Sequence, residues 1–230
     1  MKKVSPVLCL LALILALPLS AQQADRSKYE RLVKFDKKLD SLLNQGIDST
    51  GLNCLFKIAS DGLEVYISNQ DSLHFVELDA ILSRFDLAKE IFTERKEFKP
   101  MARVCNFLTQ VYESLVPIDS HFVVYVTDEL YGLAGCYFYM HDYLAAQRAI
   151  EHLIQIDPQD NNAYCTLALT FLYQGQYDRA EPIIQRFKNQ RIPNGTDTYR
   201  EEFIRNFNLF EKEGITHPDV AKARKFLQRQ

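Results

Sequence analysis

Residues 128–158, DELYGLAGCYFYMHDYLAAQRAIEHLIQIDP, and residues 161–187, NNAYCTLALTFLYQGQYDRAEPIIQRF, superimpose on a shift of 34 residues without a gap. A fixed period of this length constrains the fold more than any other feature of the chain. Each copy is one supersecondary unit that cannot bury its apolar face alone, so neighbouring copies must stack. Leu130, Leu133, Ala134 and Tyr137 fall on Tyr164, Leu167, Ala168 and Phe171, and Ala146 and Ile150 fall on Ala180 and Ile184. The apolar spacing is helical throughout. Each copy therefore predicts two helices joined by a short turn, with alanines where the helices approach to the short end of the ~8–10 Å packing range.

These residues resemble the tetratricopeptide repeat: a large residue, then Leu and a small residue, an aromatic, a turn near Gly175, a Tyr, Ala-x3-apolar, and Asp157-Pro158 closing the unit. His141 stands where the first unit would carry the turn glycine, and the closing proline of the second comes one residue late, at Pro193. The resemblance implies an all-α fold, a solenoid of antiparallel helix pairs, with units at 127–160 and 161–194. It also implies that the first helices line a concave groove, placing Asp128, Tyr131, Gly135, Phe138 and Tyr139 of one unit beside Asn162, Cys165, Leu169, Leu172 and Tyr173 of the next. The best-known peptide clamp of this family grips a C-terminal carboxylate with Lys, Asn and Arg; Tyr131 and Gly135 stand at two of those places. The groove is instead aromatic and aliphatic, and Tyr131, Phe138, Tyr139, Leu169, Leu172 and Tyr173 are the candidate partner-binding residues. The competing expectation is that the chain's own flanks lie over them and make them core.

Such arrays want three or more units with atypical ends. Upstream, helical stripes over 73–92 and, after Pro100, over 101–115 predict a helical hairpin within 73–126 that imitates the repeat with one residue inserted. Downstream, residues 195–230 predict a terminal cap of two helices, one carrying Phe203, Phe207 and Phe210, the other running from Pro218 through Phe226. The segment 52–68 reads either as a β-hairpin turning at Ser60-Asp61-Gly62 or as helix interrupted at Gly62, with helix preferred because everything downstream is helical. A first helix is expected over Tyr29–Leu43, inside an N-terminal flank spanning 22–72. Asp178-x-x-Glu181 is expected to cap the last repeat helix.

The first 21 residues have their own logic. Lys2 and Lys3 precede an apolar run from Val7 to Leu17, then Leu19-Ser20-Ala21. That is the layout of a secretory signal peptide cleaved after Ala21, too short for a membrane helix of ~20 residues. Gln22 rather than cysteine follows the expected cut, so no lipid anchor is expected. Export to a bacterial periplasm or the exterior is the expectation.

The chain carries 27 basic and 30 acidic side chains. Removal of Lys2 and Lys3 leaves 25 basic, a net of −5, with the cations interleaved among acids. That disfavours nucleic acid as a partner. There is no GxSxG, HExxH, Gly-rich phosphate loop or zinc-type cysteine spacing, so no catalytic residue, cofactor or metal is expected. Cys54, Cys105, Cys136 and Cys165 are too sparse for a disulfide scaffold and read as buried free thiols, with Cys136 and Cys165 too far apart in the repeat register to bridge. Asp119-Ser120-His121 is more simply a helix start than a catalytic group. The expected function is non-enzymatic binding of a protein or peptide. The alternatives are an enzyme or enzyme subunit with its site in the N-terminal flank, favoured if His74 or His121 met carboxylates in a deep pocket, or a self-associating envelope component.

Overall fold

The computed structural model describes residues 49–193 and 195–228. The expected signal peptide and the expected helix over Tyr29–Leu43 lie outside the described residues. Those described are all-helical: α1 (Ser49–Asn69), α2 (Ser72–Glu94), α3 (Phe98–Leu115), α4 (Phe122–Tyr139), α5 (Tyr143–Ile156), α6 (Asn161–Tyr173), α7 (Tyr177–Phe187), α8 (Tyr199–Lys212) and α9 (Pro218–Gln228). Among the described residues no strand forms beyond a single antiparallel bridge between Arg191 and Thr198. No helix described is long and apolar enough to cross a membrane.

The chain divides into two compact units between Arg95 and Lys96. In the first, α1 packs on α2. The segment left between hairpin and helix is one unbroken helix, and Gly62 does not stop it. Glycine serves there for close approach: a Cβ at Gly62 would stand 3.1 Å from Ile81 Cδ1 on α2. Phe56 stacks on Phe85 across the pair at 5.8 Å, and Leu55, Leu78 and Ala88 are buried. Asp71 caps α2 by accepting the His74 N–H at 2.9 Å. The boundary at Arg95/Lys96 falls inside the segment expected as a 73–126 hairpin: α2 pairs backward with α1, and α3 pairs forward with α4.

In the second unit, α3 to α7 pack each on the next. The 34-residue period is exact at the backbone of the two inter-helix turns. α4 ends at Tyr139 and α6 at Tyr173; α5 begins at Tyr143 and α7 at Tyr177. Asp142 N–H bonds Tyr137 O and His141 N–H bonds Phe138 O; 34 residues on, Gln176 N–H bonds Phe171 O and Gly175 N–H bonds Leu172 O. Both are Schellman closures, which place the residue after the cap in the left-handed region. Gly175 has φ +75°, and His141 holds the equivalent place at φ +58° despite its Cβ. Ala134, Ala168, Ala146 and Ala180, with Ile150 and Ile184, are all buried at the helix contacts.

The N-terminus of α7 departs from expectation. Asp178 and Glu181 form no capping pair there; Gln176 is the N-cap residue and makes no side-chain cap bond. The Tyr177 N–H is met from outside the helix by Asp219 of α9, whose Oδ2 accepts it at 3.1 Å. Asp219 is itself buried and accepts from Lys222 Nζ at 2.6 Å. The Lys222 bond holds its carboxyl below the usual range against the opposing pull of burial. A carboxylate at that end also meets the positive end of the helix dipole. α9 thus packs on α6 and α7 through Val220, Ala223 and Leu227 and closes the array.

The candidate binding cleft

α8 takes a different course from α9. Its apolar face, Tyr199, Phe203, Phe207 and Phe210, is buried, and Phe210 lies against the first helices of both repeats. The Phe210 ring stacks on Phe138 of α4 at 5.0 Å and meets Tyr173 of α6 edge-on at 5.5 Å and Tyr139 at 6.2 Å. The helix starts firmly because Thr198 and Glu201 form a reciprocal capping box. The linker before it is tied by Tyr199 N–H to Gln190 O and Arg200 N–H to Lys188 O.

That placement corrects the expected open groove. Phe138, Leu169, Leu172 and Tyr173 are each no more than 4% exposed: all four are packed in the core, and Phe138 and Leu169 reach an open space only at their edges. Phe210 of α8 covers Phe138 and Tyr173, and α9 packs on α6 as well. Tyr131 and Tyr139 remain half-buried; Tyr139 is stacked on Phe98 at 4.3 Å.

What stays open is the other end of the groove. A cleft of about 590 Å3 is bounded by α4, α6, α8 and the linker before α8. Tyr131, Gly135, Phe138, Asn162, Cys165 and Leu169, all on the face that the repeat resemblance makes concave, line one side together with Thr166. Tyr139, Leu172 and Tyr173 do not reach it. The other side, which the sequence pattern did not indicate, comes from Ile192, Asp197, Tyr199, Glu202, Phe203, Arg205 and Asn206. The signal for it was the Tyr199, Phe203, Phe207, Phe210 stripe, which required an apolar partner but named none.

The cleft is held by polar contacts. Tyr131 Oη donates to Asp160 Oδ2 at 2.7 Å while Asp160 Oδ1 caps α6 at the Asn162 N–H, 2.8 Å away. Tyr199 Oη donates to Asn162 Oδ1 at 3.0 Å, which ties α8 to α6. Arg205 is paired with both Asp197 and Glu202, and Asn206 Nδ2 donates to Glu202 Oε1 at 3.0 Å. One guanidinium thus faces two carboxylates, and the rim carries an excess of negative charge beside its aromatic and amide groups. Burial pushes the Tyr199 phenol up to about 12 and raises the Tyr131 phenol further, so both stay protonated donors at neutral pH. Cys165 is buried among these groups and its thiol is likewise pushed up by burial, which makes it a poor nucleophile.

Elsewhere, His121 Nδ1 lies 2.8 Å from Asp119 Oδ1, and His74 Nδ1 2.6 Å from Asp71 Oδ2. Asp71 caps α2 through the His74 N–H, whereas neither Asp119 nor Ser120 caps α4 as expected: His121 is the N-cap residue, no side chain caps it, and the Asp119 carboxylate accepts only the His121 backbone N–H. His121 is nine-tenths exposed on a turn, not in a deep pocket. No group of three or more His, Cys, Asp or Glu placed to hold a metal occurs among the described residues. Comparison with protein-family models, with curated proteins and with solved structures finds no match to this chain.

Proposed function

We propose that the 96–230 unit is a tetratricopeptide-type binding module, without catalytic activity, that holds a peptide or an extended segment of a partner protein in the cleft between α4, α6 and α8. The observation that carries this reading is the composition of the cleft. Side chains from the first helices of two 34-residue repeats meet aromatic, amide and ion-paired side chains from α8 around one open volume of about 590 Å3. Recognition here rests on shape, aromatic contact and amide hydrogen bonds, beside a rim where Arg205 is shared by Asp197 and Glu202. Filling of the Tyr139–Tyr173 end by α8 shortens the groove and favours a ligand of a few residues over a long helix. The signal-peptide layout of residues 1–21 supports a working place in a bacterial envelope, where mature protein begins at Gln22.

A photo-crosslinking residue at Thr166, inside the cleft, tests the reading against the same residue at exposed Gln185 on α7. The expected result is a defined adduct with a protein or peptide from the source cell envelope at Thr166 and none at Gln185. Equal labelling at both positions, or none at Thr166, refutes the cleft as the binding site.

A further inference from the structure

We propose that Cys105 of α3 and Cys136 of α4 are a disulfide site: in an oxidising compartment the two close an internal bridge that staples α3 to α4. Both residues are buried, at 1% and 2% exposure, and no disulfide joins them in this structure. Gly132 sets their approach. A Cβ at Gly132 would stand 3.1 Å from Cys105 Sγ, so glycine lets the Cys105 side chain lie close on the surface of α4 without a shift. Cys136 is four residues further along the same helix and therefore on the same face. Helical side chains lean toward the preceding turn, which carries the Cys136 sulfur toward Gly132 and hence toward Cys105. The Cys105 side chain is close enough to hold the Cys136 thiol below its usual range. The other two cysteines among the described residues are placed differently: Cys165 sits in the cleft near Asp160, and Cys54 lies on α1 in the first unit.

The chemistry is thiol–disulfide exchange with a small disulfide such as oxidised glutathione. One cysteine, as thiolate, attacks a sulfur of glutathione disulfide and expels one glutathione thiolate. The second cysteine then displaces the other glutathione from the mixed disulfide. Two S–H bonds and one S–S bond are consumed; one protein S–S bond and two glutathione thiols form, and the protons pass to the departing thiolates. Because neither sulfur is reachable in the folded unit, the bridge closes during folding rather than afterwards.

Reduced, denatured full-length protein refolded in a glutathione and glutathione disulfide mixture should lose two hydrogens in mass. Non-reducing digestion should then yield a linked pair of peptides containing Cys105 and Cys136. A crosslink spanning this separation should raise the melting temperature of the 96–230 unit by about 10 °C over the same protein kept in dithiothreitol. Recovery of both cysteines as alkylated thiols after oxidative refolding overturns the proposal. So does a bridge from either of them to Cys9, Cys54 or Cys165, or a 105–136 link that fails to raise the melting temperature. No variant is required, so misfolding of a mutant cannot confuse the outcome.

Discussion

Truncating Phe210 to Ala tests whether α8 fills the groove. The ring is 8% exposed, stacked on Phe138 and edge-on to Tyr173 and Tyr139. Removing a buried phenylalanine ring costs about 3–5 kcal/mol, the spread reflecting how far the site collapses. Phe210 sits in the last turn of α8, where the backbone can move inward, which pulls the cost down. Three aromatic contacts pull it up by ~0.5–1.5 kcal/mol each where geometry is good. About 4 kcal/mol is the expected loss, or roughly 12 °C in the transition of a unit of this size. Circular dichroism melts and urea titration measure it, with Leu209→Ala as control because Leu209 is 46% exposed and should change stability by less than ~0.5 kcal/mol. Uncovering Phe138 and Tyr173 should also raise binding of an apolar dye. A Phe210→Ala loss below about 1 kcal/mol, or equal to that of the Leu209 control, would mean that α8 does not seat in the groove and that the six-residue surface expected from the sequence is open after all.

Three further outcomes follow from particular side chains. Tyr173 Oη is buried without a hydrogen-bond partner, so Tyr173→Phe should leave stability unchanged or raise it by up to ~2 kcal/mol in urea titration; a clear loss would reveal a missing partner. His141→Gly should stabilise by about 0.5–1 kcal/mol, since the left-handed position at φ +58° penalises a Cβ; the loss of the His141 Nδ1 to Tyr143 Oη contact at 2.9 Å works against it only at the surface, and a destabilised His141→Gly would refute the Schellman reading. Burial raises the folded-state pKa of Tyr131, Tyr173 and Tyr199, the last to about 12, so the folded chain holds more protons than the unfolded one above pH ~10. Stability should be level below that pH and fall as pH climbs from ~10 toward 12, with a shallower fall in the Tyr131→Phe, Tyr199→Phe double variant; melts that stay level to pH 11.5 would refute the burial of these phenols.

The elements themselves were legible because their signals are local. Helical stripes marked α2, α3, α8 and α9 to within a few residues, and the 34-residue shift marked the paired turns after α4 and α6. His141, in the glycine place, was visible as an oddity, though only the backbone showed that it takes the left-handed conformation. The segment 52–68 misled at Gly62, because a glycine that stops a helix and one that admits a neighbouring helix look the same until Ile81 is placed against it. The expected Asp178 and Glu181 cap failed for a similar reason: the competing carboxylate, Asp219, comes from forty residues away.

The sequence by itself determined the secondary structure and the period, since side-chain spacing and turn chemistry act within a few residues of chain. Which surface stayed open was decided only by tertiary structure. Tyr131, Phe138, Tyr139, Leu169, Leu172 and Tyr173 read equally well as groove or core, because an apolar stripe specifies that something must cover it and not what does. Phe210 settled that competition by burying the Phe138–Tyr173 end. The same helix, through Tyr199, Glu202 and Asn206, supplied the polar half of the cleft that remains.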